Sequence, residues 1–434
     1  MKIGIIGTGY VGLVTAAGLA EFGHHVIGTD IVPEKIEMAS QGIAHIFEPD
    51  LEALLKKNLE KKNLSFTTDL DKTIQAADVL FVCVNTPQKE DGSAEMCYVE
   101  SVSRQIAANL NKYKLIVEKS TVPVRTSAWI KRTINQNKKG DGEFDVASNP
   151  EFLREGSAVH DFLHPDRIII GIETEKARDI LLKIYEKYKE RILITNIDTA
   201  EVIKHASNSF LATKISFINM MADLCEKTDA DVKLVAKGMG LDSRIGEQFL
   251  GAGIGYGGSC FPKDVKALIK IGEDLGLDFN LLRAVDKVNR ERIEVFIEKT
   301  KKALWILKDK KIAVLGLSFK PDTDDLRNAP SISIIQKLKE EGAILSLYDP
   351  QAMENMKKLF PEDRKQVFFS DSPYDAVVNA HALLIITEWE EFQKLDLKKI
   401  KNMMANPIVV DGRNLFDLQE MKELGFEYHS IGRK

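Results

Sequence analysis

Short apolar runs recur through the first 170 residues, at 3–7, 25–30, 79–84, 115–120 and 168–172. Each is rich in β-branched residues and too short for a stable helix, so each predicts a buried strand. Helical periodicity fills some of the gaps, as at 11–21 and 49–57. Strands alternating with helices predict βαβ units and a parallel sheet. The pattern changes from about Thr199 to Leu304, where strand signals thin out and long amphipathic stretches take over. Residues 279–304 (FNLLRAVDKVNRERIEVFIEKTKKAL) contain no Pro or Gly and predict one long helix, about 39 Å at 1.5 Å per residue. After Lys308 the first pattern returns. KKIAVLGLSF repeats the layout of MKIGIIGTGY, AILSLYD ending at Asp349 echoes HHVIGTD ending at Asp30, and NAHALLIIT echoes QAADVLFVCV. The expectation is an α/β chain in three parts: two doubly wound Rossmann-like domains, 1–198 and 305–434, joined by a mainly helical connector, 199–304.

The long predicted helix carries Phe279, Leu281, Leu282, Val285, Val288, Ile293, Phe296 and Ile297. That is more apolar surface than a connector needs to bury, which predicts a homodimer closed by a symmetric pair of such helices. Composition narrows the other partners. With 434 residues, 44% hydrophobic and 29% charged, the chain has ample material for several cores. Sixty Lys+Arg against 65 Asp+Glu give a net charge of −5, which argues against a nucleic-acid or anionic-membrane binder. No apolar run approaches the length of a membrane span. The first strand signal begins at Ile3, leaving no room for a signal peptide. Cys83, Cys97, Cys225 and Cys260 are widely spaced without CxxC, consistent with a reduced, cytoplasmic protein without a zinc knuckle. His160 and His164 stand four apart, but HDFLHP lacks the Glu of a zinc-protease helix, and no metal is expected.

Chemistry concentrates in two places. Gly7-Thr8-Gly9-Tyr10-Val11-Gly12 is GxGxxG after a strand and at the start of a helix, with Asp30 at the end of the next strand. This is the context a dinucleotide fingerprint requires. Gly7 permits the turn, Gly9 lets the backbone approach a pyrophosphate, and Gly12 allows close helix–strand packing. Asp30 would bind ribose hydroxyls and repel a 2′-phosphate, favouring NAD over NADP, a preference that Lys35 blunts slightly. Asn85-Thr86-Pro87 and Ser120-Thr121-Val122-Pro123 end apolar strands where such a fold gathers its ligand contacts. The second place is GAGIGYGGSCFPKD, from Gly251 to Asp264. Five glycines in eight residues read as a loop whose backbone approaches a ligand, with Cys260 at its rim. A thiol beside Lys263 and near a helix start has its thiolate favoured, as a nucleophile requires. Cys83, inside LFVCV, reads instead as a small core hydrophobe.

GTGYVG, VNTP, STVPV, NPEFLREG, KHASN, DSRIG, GIGYGGSCFPKD, FKPDTDDLR and DGRN span essentially the whole chain. On these motifs the chain closely resembles the UDP-glucose 6-dehydrogenase family, within the group that oxidises UDP-glucose, GDP-mannose or UDP-N-acetylhexosamines. The Phe261-Pro262 pair resembles the UDP-glucose branch. The resemblance implies a four-electron oxidation of a C6 alcohol to an acid with two NAD, through a thiohemiacetal and thioester on Cys260. It implies that Lys204 and Asn208, four apart on one predicted helix face, stabilise oxyanions and hold water. Glu151 resembles the acid/base for thioester hydrolysis, Glu155, four further on, a residue near the nicotinamide, and Asp264 the carboxylate that assists deprotonation. On the cofactor side it implies Tyr10, Val11, Thr86, Pro87, Ser120, Thr121, Lys263 and Arg327. For the UDP-sugar it implies Glu151, Phe152, Leu153, Arg154, Lys204, Asn208, Phe249, Gly253, Tyr256, Gly257, Phe319, Lys320 and Arg413. Arg244 would reach the sugar nucleotide of the neighbouring subunit. Arg125 departs from the pattern, standing where a glycine is usual. Competing expectations are another nucleotide-sugar dehydrogenase, a silent nucleotide-sugar-binding protein, or a 3-hydroxy-acid dehydrogenase. The last has no use for GGSCFPKD.

Overall fold

Strand residues of this chain alternate between two apolar layers, and that alternation builds the architecture. In the computed structural model, which describes residues 1–89, 91–363 and 365–434, Ile3 and Ile5 enter one core cluster and Ile6 another. Val79 and Phe81 join the first, Leu80 and Val82 the second. A strand apolar on both sides needs helices on both faces, as in doubly wound folds.

The first sheet comprises β1 (Lys2–Ile6), β2 (His25–Thr29), β3 (Leu64–Thr67), β4 (Val79–Val82), β5 (Lys114–Glu118), β6 (Phe144–Ser148), β7 (Ile168–Gly171) and β8 (Ile192–Thr195). Their order is β3-β2-β1-β4-β5-β6-β7-β8. Neighbours are parallel except β6 and β7, which meet antiparallel at Ser148 and Gly171. The second sheet comprises β9 (Lys311–Leu315), β10 (Ile344–Tyr348), β11 (Val367–Phe369), β12 (Ala382–Ile385), β13 (Ile408–Asp411) and β14 (Glu427–His429), ordered β11-β10-β9-β12-β13-β14. Counted from its own first strand, the second sheet runs 3-2-1-4-5-6, and the first runs the same way before adding β7 and β8. The repeat of layout read from the sequence is a repeat of topology, with the strand order reversing beside β1 and beside β9, where such folds bind ligands.

Two compact units result: residues 1–207 with 270–277, and residues 208–269 with 278–434. The predicted long helix forms as Asn280–Leu304, but the longest helix is Ile197–Lys227, with 31 residues, running from the first unit into the second. Of the apolar residues on Asn280–Leu304, Val285, Phe296 and Ile297 are buried within the second unit, whereas Leu281 is exposed. The larger exposed apolar stripe lies instead on Ile197–Lys227, at Phe210, Phe217, Met220 and Leu224. Among the described residues, no helix is long and apolar enough to cross a membrane.

Candidate active site

The turn after β1 is shaped as its glycines require. Gly7 sits at φ +90°, and a Cβ on Gly12 would lie 1.8 Å from the Gly7 carbonyl oxygen. A Cβ on Gly9 would meet nothing closer than Asn85 Oδ1 at 3.6 Å. The backbone is therefore open where a pyrophosphate has to approach. The helix Tyr10–Glu21 starts there with no side-chain cap and no acidic residue in its first turn, leaving its N-terminal dipole to an anion. At the end of β2, Asp30 Oδ2 accepts from Thr8 N (2.9 Å) and Thr8 Oγ1 (3.2 Å), and Lys35 Nζ lies 4.0 Å away. Thr86 Oγ1 donates to the Thr121 carbonyl (2.9 Å) and Ser120 Oγ to that of Val84 (2.9 Å), joining the two loops after β4 and β5. Tyr10 OH accepts from Gly156 N at 3.0 Å. These residues fit NAD.

In the same unit Lys204 meets Glu151. Lys204 Nζ donates to Glu151 Oε1 (2.8 Å) and to the Glu151 carbonyl (2.7 Å), with the side chains 4% and 5% exposed. Glu151 Oε2 accepts from Leu153 N at 2.6 Å. Phe152 lies beneath two cations, Lys204 at 5.3 Å and Arg167 at 4.0 Å from its ring centre. Glu151 and Glu155 do not share a helix face. Residues 149–157 are not helical, because Asn149-Pro150 opens the segment and Glu151 folds back onto its own loop. Arg154 is exposed and paired with Asp161 at 2.6 Å.

The second unit holds Cys260 immediately before the helix Phe261–Asp274, with its carbonyl accepting from Asp264 N at 2.8 Å. The helix dipole there favours negative charge on the sulfur. Asp264, 1% exposed, accepts from Asn208 Nδ2 (2.7 Å) and lies 3.3 Å from Lys263 Nζ. The glycine-rich loop is closely packed. A Cβ on Gly253, Gly255, Gly257 or Gly258 would come within 2.3–2.7 Å of Gly412, Asn289, Asn328 or Phe319 respectively. Four of the five glycines thus have close neighbours where a Cβ would stand. Gly251 alone of the five has nothing within 4 Å. Arg413 binds this loop to the second sheet, donating from Nη1 to the Gly255 carbonyl (3.1 Å) and from Nη2 to that of Phe319 (3.4 Å). Tyr256 and Phe261 meet edge-on at 5.8 Å, and Phe249 and Phe261 meet tilted, at 6.0 Å. Lys320 Nζ is 5.5 Å from the Phe319 ring centre. Arg327 pairs with Asp325 (2.7 Å) and Arg244, 87% exposed, with Asp242 (2.6 Å).

The second sheet repeats the acidic position but spends it internally. Asp349, after β10, accepts from Leu317 N, Ser318 N, Gln351 N, Ala352 N and Trp389 Nε1. Its carboxylate is buried and its oxygens are taken up by these donors. Sequence reasoning passed over Glu118, Lys119 and Asn149. Lys119 Nζ donates to Asn149 Oδ1 (3.1 Å), and burial pushes its ammonium down to about 8. A charged pair ending the apolar run LIVEKS was the available signal. At Arg125 the backbone adopts φ +76°, a left-handed conformation that suits glycine, and its N–H donates to Glu201 Oε2 at 2.5 Å.

Residues 1–189 match the NAD binding domain of the UDP-glucose/GDP-mannose dehydrogenase family, residues 198–291 its central domain and residues 313–418 its UDP binding domain. The chain belongs to this family. It is 44% identical over 432 residues to UDP-glucose 6-dehydrogenase TuaD of Bacillus subtilis (strain 168), covering 100% of this chain and 93% of that one. UDP-glucose 6-dehydrogenase of Rhizobium meliloti (strain 1021) is 44% identical over 440 residues, with 100% of both chains covered. A solved UDP-glucose dehydrogenase from the hyperthermophilic archaeon Pyrobaculum islandicum matches with a TM-score of 0.93 at 37% identity, covering 100% of this chain and 98% of that one.

Proposed function

We propose that this protein oxidises UDP-glucose to UDP-glucuronate with NAD, in the cytoplasm and as a homodimer. Its parts are a cofactor domain, 1–198, a central helical dimerisation domain, 199–304, and a UDP-sugar domain, 305–434. The observation that carries the reading is Cys260 at a helix start with the Asn208–Asp264 pair beside that helix's first turn, in a chain that matches relatives of this name along its whole length.

NAD, which the turn after β1 and Asp30 would hold, would supply a hydride acceptor, one molecule for each of two rounds of oxidation. In the first, the C6 hydroxyl loses its proton to water held by Asp264 and Asn208, and the C6–H bond breaks to leave an aldehyde. An aldehyde has no carbinol hydrogen to lose, so the Cys260 sulfur adds to C6 and the oxygen becomes an oxyanion. Lys204, as a cation, and Asn208, as an amide donor, stabilise that oxyanion. Loss of a second hydride leaves a thioester. Glu151 takes a proton from the water that attacks it, and the acid departs as the Cys260 thiol is restored. Phe319, Lys320 and Arg413 hold the UDP moiety, together with Phe249, Gly253, Tyr256 and Gly257 of the loop and Phe152, Leu153 and Arg154. Glu155, Lys263 and Arg327 act toward the cofactor.

The exposed stripe of Phe210, Phe217, Met220 and Leu224 supports the homodimer, since so large an apolar face on one helix is usually covered. UDP-glucose limited against excess NAD is expected to yield two NADH per sugar with no free aldehyde. One NADH with released aldehyde would sink the reading. Turnover of GDP-mannose or a UDP-N-acetylhexosamine in preference to UDP-glucose would move it to another branch of the family.

A further inference from the structure

Five residues of the glycine-rich loop, Ala252, Gly253, Gly255, Tyr256 and Gly258, are held through their backbone by side chains from outside it. Asn414 Nδ2 donates to the Ala252 carbonyl (3.4 Å), and Asn219 Oδ1 accepts from Gly253 N (2.8 Å). Arg292 Nε donates to the Gly253 carbonyl (3.4 Å), Arg413 Nη1 to that of Gly255 (3.1 Å), and Asn328 Nδ2 to that of Gly258 (3.1 Å). Asn289 makes the most complete of these contacts. Its Oδ1 accepts from Tyr256 N (2.8 Å) while its Nδ2 donates to the Tyr256 carbonyl (3.0 Å). The side-chain amide pairs with one residue as a neighbouring strand would. Gly255 is a glycine for the same reason: at φ +90°, its Cβ would lie 2.6 Å from Asn289 Oδ1.

We infer that Asn289 is a positioning residue for substrate binding: it fixes Tyr256, and through it the loop ending at Cys260, in the conformation that receives the sugar nucleotide. The inference rests on the proposed use of this loop by UDP-glucose. A loop ordered in advance spares the substrate the cost of ordering it. The two bonds lie between protein groups and involve no reacting atom, so their loss weakens binding more than chemistry.

Asn289→Ala removes both bonds, and Asn289→Leu removes them while keeping the bulk. Either is expected to raise KM for UDP-glucose about tenfold, roughly 1.4 kcal/mol, with KM for NAD within twofold and kcat at saturation down by less than threefold. Alkylation of Cys260 by iodoacetamide in the enzyme without substrate, followed on its tryptic peptide, should quicken at least threefold as the loop loosens. A lower Tm with KM and alkylation unchanged would make Asn289 merely structural and overturn the inference. Should the wild-type enzyme fail to oxidise UDP-glucose, the functional reading falls, and the alkylation rate alone decides whether Asn289 positions the loop.

Discussion

Glu118 and Lys119 place two adjacent ionisable groups at the buried end of β5, 1% and 4% exposed. Burial pushes the Glu118 carboxyl up to about 8, with the Glu201 carboxylate adding to the rise, although Ser120 N–H donates to its Oε1 at 2.8 Å. A carboxyl raised in the folded state binds a proton there between about pH 4.5 and 8 that the unfolded chain has already released. Stability therefore falls as pH rises through that window and is flat above it. Glu118→Gln keeps the acceptor for Ser120 and cannot ionise. Its Tm relative to wild type should climb from pH 5 to pH 8 by several degrees and then level off, as thermal melts across that range will register. A parallel pair of Tm curves would mean that Glu118 is charged or well solvated throughout. The residues legible in advance were those whose type is chemically odd in its context: Cys260 after glycines and Asp30 at a strand end. Lys204 and Asn208 came only from the family resemblance, since a lysine on a predicted helix reads by itself as a surface residue. Asn149 and Asn289 were not legible, because an asparagine that bonds backbone looks in sequence like any surface amide. The loop glycines were legible as special, but the crowding of Gly255 by Asn289 and of Gly258 by Phe319 was not, since the sequence does not reveal which side chains pack against them.

Among the elements, β1, β2, β4, β5, β7, β9, β10 and β12 announced themselves as apolar runs, whereas the edge and three-residue strands β3, β8, β11 and β14 and the interior strands β6 and β13 did not. β3 and β8 lie at the edges of the first sheet, and β11 and β14 are three residues each. Their apolar pattern is cut short where burial ends. The helix Ile197–Lys227 escaped notice as a unit because it is apolar on more than one side. Ala212, Ile218, Ala222 and Cys225 face the second unit's interior, while Phe210, Phe217, Met220 and Leu224 are exposed. Two apolar faces blur the 3.6-residue period that a one-sided helix displays. Phe217→Asp puts a charge in the middle of the outer stripe and leaves the inner face untouched. If the stripe closes a homodimer, sedimentation should show the variant as a monomer at concentrations where wild type is dimeric. A variant that stays dimeric would place the interface elsewhere.

For the whole molecule the open matter is whether one chain completes its own site. Arg244 lies beyond the helix Val232–Gly240, its guanidinium exposed and tied only locally to Asp242. An exposed ion pair of this kind contributes little to folding, so the arginine is available to a ligand at small cost. We propose that it reaches the sugar nucleotide bound to the other subunit of the dimer. Arg244→Ala and Cys260→Ala dimers should each be nearly inactive, the first through weak substrate binding and the second for want of a nucleophile. Unfolded and reassembled together in equal amounts, random pairing makes about half the dimers hybrid. In a hybrid, one site draws Cys260 from one chain and Arg244 from the other, and both are intact. The second site inherits both defects. About half the dimers with one working site of two should return roughly a quarter of wild-type activity. If Arg244 serves the site of its own chain, each hybrid site keeps one defect, and mixing restores nothing above the sum of the two variants.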